Sequence, residues 1–150
     1  MTTLRQELFD IGLLAADMLC RFTAIQDSIR SWRIVFLVHV DFAQHAKDAR
    51  MIRDCFDGLI TRVEAAVPSL EPTSKEAELA QTMGRYLCAV LNSVTSYEHL
   101  TRLMAYHEKR DRIVGAFRVL RARREFDKRV GEYLSEGIVL QRVWEEAKHA

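Results

Sequence analysis

Nine basic residues crowd into the segment from Lys109 to Val130, opposed only by Asp111, Glu125 and Asp127. The whole chain carries a net charge of +1, so the remainder is net acidic. Wound into a helix, Arg110, Arg121, Arg124 and Lys128 fall roughly along one side, at separations of eleven, three and four. A stripe of that kind neutralises several phosphates and makes nucleic-acid binding fall steeply with salt. The plainer reading is a solvated outer face whose arginines pair with acids of a neighbouring helix or of a second subunit. Aromatic side chains interleaved with the charge favour single-stranded nucleic acid. Only Phe117 and Phe126 lie in the stretch, and both read as core.

The histidines offer a second chemistry. Asp41, His45 and Asp48 stand at i, i+4 and i+7, on one helix face, and His99 can approach them from another helix. The chain has no His-x-x-x-His, no Cys-x-x-Cys and no pair of Glu-x-x-His motifs, the spacings with which helical bundles hold metals. A surface hydrogen bond between carboxylate and imidazole is therefore expected, with no metal and no cofactor. His39, inside an apolar run, reads as a core histidine. Nucleophilic catalysis has no support, since there is no Gly-x-Ser-x-Gly and no cysteine near a histidine in sequence. Cys20, Cys55 and Cys88 are odd in number, share no short spacing and sit mid-helix, which predicts reduced, buried thiols rather than a disulfide framework. No glycine-rich loop is present to cradle a nucleotide's phosphates.

Arg102-Leu-Met-Ala-Tyr-His107 resembles the Arg-x4-6-His signature of HEPN-type ribonucleases. Those are all-α domains of about this size. The resemblance implies an Arg102 and His107 pair in a dimer cleft, cleaving RNA through the ribose 2′-hydroxyl. Arg33 to His39 and Arg142 to His149 fit the same loose pattern. His107 alone reads as an imidazole at a helix C-terminus, where its charged form interacts well with the dipole.

The elements that must position these residues are helices. Leu4, Leu8, Ile11, Ala15, Met18, Phe22, Ile25 and Ile29 alternate spacings of four and three, and Leu13, Leu14 and Leu19 widen the stripe, predicting a helix over 3–29. The β-branched run from Trp32 to Val40 flows into a helical stripe through Phe42, Ala46, Ile52 and Phe56, predicting a second helix over 32–66. Pro68 and Pro72 break the chain. Thr73 and Glu76 then have capping-box spacing and open a third helix over 74–108. The fourth segment, 111–148, is one helix or two. Its stripe is read through Ile113, Phe117 and Leu120, then Phe126, Val130, Leu134, Ile138 and Val143, while Gly131, Ser135 and Gly137 invite a split near 131–137.

Six glycines and two prolines leave few tight turns, which fits long helices and not a many-stranded sandwich. The expected architecture is one domain over 1–150, an antiparallel all-α bundle of four helices, or five if the last is split. The longest apolar run falls far short of the ~20 residues of a membrane span, and acidic Glu7 and Asp10 argue against a signal peptide. A cytoplasmic protein is expected. The leading functional reading is a non-enzymatic binding or regulatory bundle that presents helix faces to a protein partner or to a second copy. The alternatives are nucleic-acid binding by the basic 109–130 segment and a HEPN-like ribonuclease using Arg102 and His107.

Overall fold

The structure, a computed structural model, describes residues 3–30, 41–107 and 112–149. Among the described residues four helices pack against one another: α1 (Leu4–Arg30), α2 (Phe42–Ala66), α3 (Lys75–His107) and α4 (Arg112–Lys148), with a 3-10 turn at Val67–Ser69 after α2. This is the all-α four-helix bundle expected from the periodicity. No described helix is long and apolar enough to cross a membrane.

Neighbouring helices run antiparallel. Glu7 of α1 meets Arg62 near the end of α2, Arg53 of α2 meets Glu98 of α3, and Tyr86 of α3 packs on Gly137 of α4. The first and last helices close the bundle in the same sense, through Phe9 against Trp144 at one end and Phe22 against Phe126 at the other. α3 is the spine. Its Leu79, Ala80, Met83, Leu87, Val90 and Val94 are all fully buried between α2 and α4.

The termini show how the sequence sets element boundaries. Asp41 takes a non-helical conformation (φ −82°, ψ 86°), and its carboxylate accepts the Gln44 N–H at 3.0 Å. A new helix thus begins at Phe42, so the single helix expected over 32–66 does not exist as one element. A short acid is a better cap than helix interior; residues 31–40, with the Arg33 and His39 readings, lie outside the described residues. The cap of α3 falls on Ser74, whose hydroxyl accepts the Ala77 N–H at 3.1 Å and donates to the Glu71 carbonyl at 2.7 Å. Ser74 is one residue after the Thr73 read as cap. Ala77 therefore occupies the position where a reciprocal Glu would complete the box.

α4 is unbroken over 37 residues, about 55 Å at helical rise. Ser135 does not cap a separate helix; its hydroxyl donates to the Gly131 carbonyl within the same one. Gly137 is where the Tyr86 ring comes close, since a Cβ there would stand 3.2 Å from it. The helix is continuous because core residues bury before, between and after the glycines: Phe126, Tyr133 and Val143.

Three sets of residues read as buried are not. Leu13 and Leu14 of α1 are exposed. All three cysteines are exposed and unpaired with one another, because each lies on the side of its helix away from the buried stripe. On α4, Phe117, Leu120, Leu134 and Ile138 face outward. The stripe Phe126, Val130, Leu134, Ile138 steps by fours, and each such step turns about 40° around a helix of 3.6 residues per turn. After two steps it has left the core side.

Candidate functional site

The outward residues of α4 form a pattern of their own. Positions 117, 120, 124, 127, 131, 134 and 138 alternate spacings of three and four, the repeat of a coiled-coil seam. Phe117 and Ile138 are each 74% exposed, Leu134 56% and Leu120 52%. The middle of the seam is polar and open: Arg124 and Asp127 are exposed, and nothing lies within 4 Å of where a Gly131 Cβ would be. Scattered surface leucines are ordinary; here four large apolar side chains stand exposed on one stripe.

Arg121 and Lys128 flank this seam, both exposed. Of the four basic residues placed on one side by sequence, Arg121, Arg124 and Lys128 do share the outer face, and Arg110 lies outside the described residues. None of the three makes an ion pair among the described residues. Arg129 behaves differently. Its guanidinium reaches Glu125 at 2.9 Å and Glu132 at 3.2 Å, and these bonds hold its pKa above the ordinary value. Arg129 thus pairs within α4 itself, not with a neighbouring helix as the plainer reading expected, and the seam's three cations pair with no acid among the described residues. Beside them, His99, Arg118, Arg121 and Glu125 line an open cleft of about 510 Å³ between α3 and α4.

The other sequence candidates have local roles. Asp41 caps α2, Asp48 accepts from the Gln44 side chain at 2.9 Å, and His45 Nδ1 stands 3.5 Å from the Tyr97 hydroxyl. Among the described residues no three His, Cys, Asp or Glu side chains are grouped to hold a metal ion. Arg102 pairs with Glu98 at 3.1 Å, whereas the His107 ring packs on the backbone of Gly115 at the start of α4. Residues five apart point about 140° away from each other around a helix, so within one chain the two face different directions. Although Cys88 is exposed, partial desolvation by its neighbours and then the Glu64 carboxylate push its thiol up, which makes it a poor nucleophile at neutral pH.

Sequence reasoning missed Glu98. Its carboxylate is almost wholly buried between Arg53, at 2.6 Å, and Arg102. The i, i+4 spacing to Arg102 was visible, but the long-range Arg53 partner comes only from the packing of α2 on α3. It also missed the seam on α4, whose apolar members were assigned to the core. Comparison of the chain with protein-family models, with characterised proteins and with solved structures returns no match.

Proposed function

We propose that the protein is a non-enzymatic binding protein, and that α4 docks an amphipathic, acidic helix of a protein partner. The observation that carries this reading is the exposed 3-4 stripe of Phe117, Leu120, Leu134 and Ile138 with Arg121, Arg124 and Lys128 around its centre. A partner helix with apolar residues in the same repeat would cover the four hydrophobics. Acidic residues beside them would meet the three cations, and such complementarity favours encounter and fixes register. A second copy fits less well. Any two-fold pairing of this face brings two sets of Arg121, Arg124 and Lys128 together with only one Asp127 from each chain to offset them.

Sedimentation of the chain with a synthetic acidic leucine-heptad peptide of about four repeats tests the reading. One peptide bound per chain, weakened by salt and lost in Phe117→Ser plus Ile138→Ser, supports it. An unchanged sedimentation mass on adding the peptide contradicts it, and a dimeric mass for the chain alone moves the reading to self-association.

A second reading, single-stranded nucleic acid, is favoured by one observation: Phe117 is exposed one helical turn from Arg121, beside the cleft of His99 and Arg118. Bases would stack on the phenyl ring while phosphates met the arginines. It requires that a labelled mixed oligonucleotide bind at low salt, and that Arg121→Glu plus Arg124→Glu abolish that binding.

A further inference from the structure

Between α1 and α4, above α3, the bundle leaves a slot of about 450 Å³. Its width follows from residue size. Small residues open it, Gly12, Ala15, Ala16 and Cys20 on α1 and Gly137 on α4, while Leu13, Leu19 and Leu140 add apolar wall. Met83, Tyr86 and Leu87 of α3 lie beneath.

α1 and α4 touch beyond both ends of the slot, and these contacts bound it. At one end the Phe9 ring stands edge-on to Trp144, with centroids 4.5 Å apart, and the Arg5 guanidinium donates to the Ala147 carbonyl. At the other end Phe22 meets Phe126, with centroids 6.3 Å apart. The indole of Trp144 lies directly over Gly12, where a Cβ would come within 2.2 Å of it. Glycine at position 12 is thus what lets the indole seal that end. From Gly12 to Cys20 the open length is about 12 Å at helical rise.

We infer that this slot binds a neutral, apolar small molecule about 12 Å long, the length set by the helical rise from Gly12 to Cys20, the first and last α1 residues that line it. The volume lies within the range of ordinary ligand pockets, about 300–1,000 Å³. No charged residue lines it, and its polar side-chain groups are those of Cys20, Tyr86, Gln141 and the Trp144 indole. A carboxylate or phosphate inside would lose its hydration with no cation to pair. The contacts beyond both ends exclude a partner helix or a second copy, since a helix about 10 Å wide needs a groove open along its length. The inference makes no use of the outer face of α4.

The neutral dye N-phenyl-1-naphthylamine, titrated into the full chain and followed by its fluorescence, tests it. Saturable binding of one dye per chain is expected. Ala16→Phe, which fills the slot from an exposed position of α1, weakens it by about tenfold or more. Phe117→Ser leaves it unchanged. A second measurement does not depend on that variant: with Cys55 and Cys88 replaced by Ser, maleimide labelling of Cys20 slows when the dye saturates. Non-saturable binding, equal affinity in a folded Ala16→Phe chain, loss in Phe117→Ser, or an unchanged Cys20 labelling rate each overturns the inference.

Discussion

Phe117 and Phe126 sit nine residues apart on α4 and on opposite sides of it: Phe126 is 8% exposed and Phe117 74%. Phe126 stands among Phe22 and Tyr97, with ring centroids 6.3 and 5.3 Å away, and its removal leaves a cavity where three helices meet. Phe126→Ala is expected to cost about 3–5 kcal/mol in urea unfolding. Phe117→Ala is expected to stay within about 0.5 kcal/mol. Equal losses would mean that Phe117 is packed, and the outer seam would not exist.

Glu98 and Arg53 form the one long-range ion pair in which a carboxylate is deeply buried, among the described residues. Arg53→Met leaves that carboxylate with Arg102 alone, whose side chain is 62% exposed. The single change is expected to cost about 2–3 kcal/mol, below the usual figure for a buried pair because the Arg53 side chain still reaches water. Arg53→Met with Glu98→Met is expected to cost less than Arg53→Met alone, because no uncompensated charge remains. A double variant less stable than the single one contradicts the account of this pair.

Burial, reinforced by Tyr133, pushes the Tyr86 phenol up to about 12; burial and then Asp48 push Tyr97 up as well. Both folded-state values lie above the unfolded value of about 10. The stability these groups confer is fully present below that unfolded value. Above it the unfolded chain sheds protons that the folded chain keeps, so stability falls as pH rises toward the folded values. The thermal midpoint should therefore be insensitive to these tyrosines from neutral pH to about 9, and fall above 10. Tyr86→Phe with Tyr97→Phe should flatten that alkaline fall; an unaltered slope would show that the two phenols are not the cause.

Much of the fold was legible from spacing alone, and its misreadings have specific causes. Leu8, Ile11, Ala15 and Phe22 bury as their 3-4 alternation requires. On α4 Phe126 and Val143 bury as read, but Phe117, Leu120, Leu134 and Ile138 were also taken for the core, although the helix instead buries the smaller or more polar Ala122, Tyr133 and Ala147. Large side chains on the wrong side of a helix look like core until the register of the packed face is known. The three seam cations were visible in sequence because charge needs no partner to be counted. That Phe117 stands among them was hidden by its hydrophobicity, and Arg53 by its distance of 45 residues from Glu98.

The charge of the α4 seam sets partner choice in this account, and reversing it is the most direct test. By titration calorimetry the natural chain is expected to bind a leucine-heptad peptide flanked by Glu and not one flanked by Lys. Arg121→Glu, Arg124→Glu and Lys128→Glu together should exchange that preference, by about tenfold or more in each direction. Indifference of both chains to the sign of the peptide, or binding to neither, would contradict the proposal that α4 is the docking face.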